Sequence, residues 1–426
     1  MSAGRRGEPD VETVVMVTTS YPRFPGDAVG TFMEPIARGI AARGHAVHIV
    51  LPWHPRLARP PIEGGLHFHP FRYAPIAALN VFGYAGALSE DVRLRRSAWA
   101  VAPLALASAW RAAAVVSRRV GATVLHGHWV VPGGAVAAAA AGRRPLVVSL
   151  HGSDVYVAER HAVARAAARW AFGRAGRVTA CSEDLRERAV ALGLDARRSE
   201  TVPYGVDARR FAPNPSARAA VRARLGVGPD DPVVFTAGRL VRKKGFEFLI
   251  DAMAVLARRR PTLTCVVGGG GDLDRELAAR ARAQEVGDRV RFPGVLAQDT
   301  VADHLAAADV AVVPSVHDAS GNVDGLPNIV LEALASGTPL VASTVGGIPA
   351  VVADDRTGLL VPEQNVEALA AAIDRLLNDA GLRDRIGREA RSEAVRLRTW
   401  GHVAERFEAA YRAARELTVT GRTRGR

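Results

Sequence analysis

Short apolar runs rich in valine recur along the whole chain and alternate with alanine-rich segments of helical period. Runs of this length without polar alternation mark strands buried on both faces, and their alternation with helices is the pattern of a parallel sheet covered on both sides. In the first half the predicted strands are TVVMVTTS, AVHIVLP, ATVLHGH, RPLVVSLHG, RVTACS and SETVPYG; in the second they are DPVVFTAG, LTCVVGGG, RVRFPG, DVAVVPS, TPLVAS and TGLLVP. Between the two sets, VDARRFAPNPSARAA (206–220) is proline-rich and poor in apolar residues, and reads as a linker. The last periodic segment, RTWGHVAERFEAAYRAAREL, spaces Trp400, Val403, Phe407 and Tyr411 as one helical stripe. The pattern therefore predicts an α/β chain of two doubly wound, Rossmann-like domains, 1–208 and 209–397, facing each other across a cleft with a hinge near residue 210. A helix over 398–416 is expected to bridge them. In such sheets ligands bind outside the carboxyl ends of the strands, so the chemistry is expected in the loops that follow them.

Composition narrows the class. A chain of 426 residues, 48% hydrophobic and 23% charged, is that of a globular protein with room for two cores. Met1–Asp10 is polar, so no secretory signal is expected, and the apolar stretch Ser97–Trp110 is too short for a spanning helix and contains Pro103. Two cysteines in different predicted strands suggest no disulfide framework and fit a reducing cytoplasm. The formal charge of +13 is unevenly spread: residues 1–212 hold 27 Arg against 16 Asp and Glu, net +11, and the remainder is net +2. Such a field attracts anions, but no nucleic-acid-binding motif accompanies it and no nucleic-acid partner is expected. Segment 92–119 carries Arg93, Arg95, Arg96, Arg111, Arg118 and Arg119 with Trp99 and Trp110. A cytoplasmic protein resting peripherally on the anionic inner face of the membrane is the expectation.

Several loops at predicted strand ends carry residues that a fold alone does not require. After the first strand, Gly30 lies where backbone N–H groups at a helix start could approach a phosphate. AGRLVRKKGFEFLI is a stronger phosphate signal. Its loop holds Arg239, Arg242, Lys243 and Lys244, and these are the only two lysines in a chain with 54 arginines. An ammonium is a mobile point donor where a guanidinium is a rigid fork, so a bias that spares lysine here points to a need for it. Asp272 and Asp274 form an Asp-x-Asp, read here as helix-start residues rather than a metal site, and no metal is expected. His126, His128 and His151 fall at neighbouring strand ends, where a metal shell is one reading and contact with a substrate hydroxyl, by His151 above all, is the other. In VDGLPNIVLEALASGTPLVAS, Asp324, Gly325 and Leu326 are expected to form a turn, Pro327 the first helical position, and Asn328–Ala335 the helix. The carboxylates of Asp324 and Glu332 would then lie at most about 12 Å apart along the axis on one side, a span that suits an extended nucleotide-sugar.

Together these motifs resemble the retaining GT-B glycosyltransferases of family 4 (group 1) from about residue 13 to 411. The likeness rests on Gly30, HGSD, PYGVD, GRLVRKKG, GGGGDLDREL, FPGVL and the acidic pair at 324 and 332. It implies a hexose moved from a nucleoside-diphosphate sugar to a sugar, lipid-linked or small-molecule acceptor in glycan or glycolipid synthesis, with no cofactor beyond that co-substrate. It further implies that His151 sits by the transferred sugar and that Arg239 and Lys244 hold the diphosphate, with Gly30 beside it. Gly294, Val295 and Leu296 would border the base, and Glu332 would hold the ribose. Asp324 would hold the sugar hydroxyls with the backbone of Gly325, Leu326, Pro327 and Asn328. The family usually has Glu where Asp324 stands, and often Glu where this chain has Ala350. Two other classes are open on the residues alone: a metal-dependent hydrolase built on the three histidines, and a non-catalytic nucleotide-sugar or lipid-phosphate binder.

Overall fold

The computed structural model describes residues 11–27, 29–80, 83–84, 88–90, 93–94, 96–319 and 321–423. The chain divides into two compact units. One takes the residues up to 180 with 188–200 and those from 404 onward, and the other takes 181–187 and 201–403.

The first unit is built on an eight-stranded sheet with the order β10-β9-β8-β7-β1-β2-β4-β3. Its strands are β1 (Thr13–Val17), β2 (Ala46–Pro52), β3 (Ile62–Glu63), β4 (Leu66–Phe71), β7 (Val124–His128), β8 (Leu146–Leu150), β9 (Arg177–Ala180) and β10 (Ser199–Thr201). A separate two-stranded ribbon is formed by β5 (Leu88–Glu90) and β6 (Arg93–Leu94). The pairings β1–β2, β1–β7, β2–β4, β7–β8 and β8–β9 are parallel, and β3 closes the edge antiparallel to β4. Val14, Val15 and Met16 of the central strand are fully buried, as a strand covered on both faces requires.

The second unit holds a six-stranded sheet, order β13-β12-β11-β14-β15-β16. These are β11 (Val233–Ala237), β12 (Thr264–Gly268), β13 (Val290–Arg291), β14 (Val310–Val313), β15 (Leu340–Ser343) and β16 (Leu359–Val361), and all neighbouring strands run parallel. Its core packs Val234, Cys265, Val267, Val310, Val312 and Val341 of the sheet against Leu249, Ile250 and Met253 of the helix Phe246–Ala257.

Two parallel sheets covered by helices are thus the observed class, and each predicted strand has its counterpart. Strands β3 and β4 and the ribbon of β5 and β6 add to them. In β4 buried Leu66 and Phe68 alternate with half-buried His67 and His69, so no continuous apolar run announces it. The predicted linker is corrected at its end. Asn214 caps a helix over Pro215–Leu225 by accepting from Ala217 N at 3.0 Å, with Pro215 at the first position where its missing N–H costs nothing. The buried Arg222 of that helix donates to the Ala307 carbonyl and to Asp309, tying it to the foot of β14. Pro327 is likewise corrected: it is the extended residue before the helix Asn328–Ser336, not its first member.

In the last helix, Trp400–Thr423, the stripe Val403, Phe407 and Tyr411 is buried. From Ala404 onward this helix belongs to the first unit, where Glu408 takes Arg43 and Arg412, Arg415 pairs with Glu12, and the Tyr411 hydroxyl meets His126 Nδ1 at 2.8 Å. Of the basic segment 92–119, residues 96–119 form one helix. Arg95 and the side chains of Arg93, Arg96 and Trp99 lie outside the described residues.

Candidate active site

In each sheet the order of the parallel strands reverses between two neighbours, β1 and β7 in the first unit and β11 and β14 in the second. Loops leaving the two strands of such a pair run to opposite sides and open a crevice at their carboxyl ends. Gly30 follows β1 and His128 ends β7, while Lys243 and Lys244 follow β11 and Asp324 follows β14, so each reversal holds candidate residues.

In the second unit, the loop after β11 closes in a single 3₁₀ turn, Arg242–Lys244, followed by Gly245 in the left-handed region at φ 64°. A Cβ on Gly245 would lie 1.9 Å from the carbonyl oxygen of Pro314, so only glycine permits this approach to the loop after β14. The result is an ion triad. Lys243 Nζ lies 3.0 Å from Asp324 Oδ1, and Lys244 Nζ pairs with Asp324 Oδ2. Burial alone would push the Asp324 carboxyl up, but Lys244 and Lys243 outweigh it and hold it well below the usual carboxylate range. From behind, Gly346 brings its Cα so close that a Cβ there would stand 2.2 Å from the Asp324 carbonyl oxygen. Gly346 is therefore packed against the site, a role the sequence reading did not assign.

Glu332 sits on the helix Asn328–Ser336 among buried Ile329, Val330, Leu331 and Leu334. Burial pushes its carboxyl up to about 7, against the pull of Lys244 and Arg210. Lys244 therefore acts on both carboxylates singled out in the sequence, and Arg210 enters as a residue not foreseen. Arg239 is exposed in the loop after β11. Arg242 turns away to Glu276, with two contacts of 2.7 and 2.6 Å. Asp274 opens the helix Asp274–Ala283 and Asp272 lies in the turn before it, both exposed. In the loop after β13, the Gly294 carbonyl accepts from Gly269 N at 2.8 Å, Val295 is 68% exposed, and Leu296 lies against Gly268. Gly325, Leu326 and Pro327 are buried and Asn328 half-buried beside them.

In the first unit, Gly30 accepts from Met33 N at 2.9 Å and so starts the helix Met33–Ala42. His128, the last residue of β7, shares a hydrogen bond of 3.0 Å between its Nδ1 and His151 Nε2, and the two rings stack 5.3 Å apart at 11°. Burial lowers the pKa of His128 to about 3 and that of His151 well below its ordinary value, so both rings are neutral at neutral pH. Asp154, in the first turn of the helix Ser153–Arg160, accepts from Val130 N (2.7 Å), Gly152 N (3.0 Å) and His151 N (3.3 Å). Burial raises its carboxyl to about 6 despite those donors. His126 spends both ring nitrogens on Tyr411 and Ser149. Among the described residues no group of three His, Cys, Asp or Glu is placed to hold a metal ion.

Two parallel-sheet units, each with its candidate residues at the strand-order reversal, define the GT-B class. HepE from Anabaena, solved with UDP, has this fold with a TM-score of 0.73 at 21% identity, over 93% of this chain and 98% of its own. Residues 29–210 match the family described as Glycosyltransferase Family 4, and residues 217–393 match Glycosyl transferases group 1. The chain is 31% identical over 378 residues to the GDP-mannose-dependent alpha-(1-6)-phosphatidylinositol monomannoside mannosyltransferase of Mycobacterium tuberculosis, covering 86% of this chain and 89% of that protein. Against its namesake in Mycolicibacterium smegmatis the identity is 38% over 240 residues, 56% of this chain and 62% of the relative. The chain belongs to glycosyltransferase family 4, group 1.

The raised carboxyl of Glu332 fixes the sign of one pH effect. A group whose pKa rises on folding contributes stability below its usual value of 4.5 and loses that contribution as pH climbs through about 7. Glu332→Gln should therefore melt above wild type by about 2–4 °C at pH 8.5, with the gap closing toward pH 4.5. A gap that is the same at both pH values, in thermal unfolding followed by circular dichroism, would contradict the assignment.

Proposed function

We propose that this glycosyltransferase moves a hexose from a nucleoside-diphosphate sugar to an acceptor hydroxyl with retention at the anomeric carbon, in the building of a glycolipid or glycan. The observation that carries this reading is the Lys243–Lys244–Asp324 triad at the strand reversal of the second unit. A lone carboxylate shared by two ammoniums leaves one of them available for exchange. An arriving diphosphate takes Lys244, and Asp324 keeps Lys243 while its oxygens turn to sugar hydroxyls. Arg239 and Lys244 then stabilise the departing diphosphate, each charged hydrogen bond contributing roughly 1.5–3 kcal/mol. Glu332 accepts from the ribose, and the loop at Gly294, Val295 and Leu296 borders the base.

The bond from the anomeric carbon to the phosphate oxygen breaks with its electron pair leaving on the diphosphate. The acceptor oxygen bonds to the same face, and its proton passes to the departing phosphate oxygen. No separate strong base is needed, which agrees with the lowered pKa of His128 and His151, by which both rings are weak bases. GDP-mannose is the first donor to test, since the mannosyltransferase relatives are named for it. The metal-hydrolase reading has less support: His126 is engaged on both nitrogens, and His128 and His151 bond each other.

No helix among the described residues is long and apolar enough to cross a membrane. The helix Arg96–Arg119 nevertheless turns apolar and basic groups outward together. Leu104 and Trp110 are 60% and 48% exposed beside exposed Arg111, Arg118 and Arg119. An anionic lipid surface suits that face, each Arg adding about 1 kcal/mol.

Thermal unfolding with GDP-mannose, UDP-glucose and ADP-glucose tests the donor reading, because a ligand bound only by the folded chain raises Tm by mass action. One nucleotide class should raise it and Lys244→Ala should abolish the rise; no shift with any of the three would overturn the reading. With the active donor, Lys244→Ala should lower kcat/KM by about a hundredfold, roughly 3 kcal/mol of lost stabilisation of the leaving group. Lys244→Arg should recover only part of that loss, because a fork does not replace a point donor. Co-sedimentation should show the protein on anionic vesicles and not on neutral ones. Partitioning that is equal and insensitive to salt would remove the membrane from the proposal.

A further inference from the structure

Trp129, the residue directly after β7, has φ 61°, in the left-handed region. For a bulky side chain this conformation is strained and persists only where the surroundings enforce it. Here they enforce it from both sides. Trp129 N donates to the Ser149 carbonyl at 2.9 Å, its own carbonyl accepts from Gly134 N at 2.8 Å, and Val130 N donates to the buried carboxylate of Asp154 at 2.7 Å. A glycine would adopt this turn without strain, so the turn does not account for the tryptophan.

Held this way, the indole lies 4.8 Å from the His151 ring and 5.7 Å from Phe32, whose ring in turn lies 4.8 Å from His151. All three residues are half-buried, at the crevice where the first sheet reverses its strand order. Aromatic faces carry negative charge, and the ring C–H groups of a polyol, polarised by their oxygens, present the matching positive face. The neighbouring imidazole pair His128–His151 is neutral, so no charge stands beside the aromatic faces.

We propose that Phe32, Trp129 and His151 form an aromatic subsite that takes the C–H face of a six-membered polyol ring, a pyranose or a cyclitol, as the acceptor. This deepens the glycosyltransferase reading and rests on it for the word acceptor, but the subsite itself is testable apart from any donor. Trp129 and Phe32 act as binding residues, recognising a ring rather than a charge.

The test is saturation-transfer NMR on the full chain with methyl α-D-mannopyranoside and with myo-inositol as separate probes, alongside calorimetry with GDP. Wild type should pass saturation to the ring C–H protons of at least one probe, and the probe that responds distinguishes pyranose from cyclitol. Trp129→Leu and Phe32→Leu should each weaken that probe roughly threefold to tenfold, the worth of an aromatic contact. Trp129→Phe, which keeps an aromatic face, should stay near wild type, and GDP affinity should not change in any of them. The proposal is overturned if neither probe binds the wild type, if both leucine variants bind as wild type does, or if Trp129→Phe loses as much as Trp129→Leu while melting at the same temperature. Should Trp129→Leu fail to fold, Phe32→Leu carries the comparison. Ring binding in a protein that binds no nucleoside diphosphate of any base would support the subsite and overturn the donor reading instead.

Discussion

The reversal of strand order within each parallel sheet is the constraint on which the rest of this molecule depends. Because β1 and β7 in one unit, and β11 and β14 in the other, send their chains to opposite sides, the loops between them cannot cover the strand ends, and polar groups collect there. The loop after β14 brings Asp324 to the same place where the loop after β11 brings Lys243 and Lys244. Two glycines make the approach possible, Gly245 against Pro314 and Gly346 against Asp324, each with a backbone oxygen where a Cβ would stand. The charged site is thus set by backbone packing as much as by the charges themselves.

Within that site, burial and charge work against each other and give two carboxylates opposite characters. Asp324 and Glu332 both suffer desolvation, which disfavours the ionised form. Asp324 has two ammoniums in contact and stays ionised with a depressed pKa. Glu332 feels Lys244 and Arg210 only at longer range, and its carboxyl rises to about 7. A group of that kind accepts or donates a hydrogen bond at little cost near neutrality, which suits a ribose hydroxyl that can do either. The sequence shows two acids eight residues apart, and only the placement of the lysines tells them apart.

Much of this was legible in the sequence, for physical reasons that also mark where it ceased to be. Buried parallel strands must be apolar on both faces, so runs such as VVMV and VAVV declare themselves, whereas β4, with His67 and His69 facing the other way from Leu66 and Phe68, does not. The helix at Pro215 was hidden because its exposed face is polar and it buries only Val221 and Arg222, the second a residue that pattern reading assigns to solvent. Lys244, Asp324 and Glu332 stand out in the sequence through scarcity and misfit: a lysine pair in an arginine-rich chain, and carboxylates before and on an apolar helix. Arg210 and Gly346 could not be found that way. Their roles are long-range and spatial, and nothing in the composition around them is unusual.

The same distinction separates bulk charge from local field. The first half of the chain carries nearly all of the net positive charge, yet the triad lies in the second unit, whose sequence is close to neutral. Surface arginines act through water and salt and fall off within about 10 Å, whereas Lys243 and Lys244 act on Asp324 in a largely dry crevice where a charge keeps its strength. A diphosphate would be held by that small dry cluster. The diffuse field of the first half can attract an anionic surface or an anionic ligand, but it cannot place a phosphate to within the fraction of an ångström that leaving-group stabilisation requires. The arginine excess and the lysine pair therefore answer different physical demands, and net charge by itself points away from the half of the chain that holds the buried ion triad.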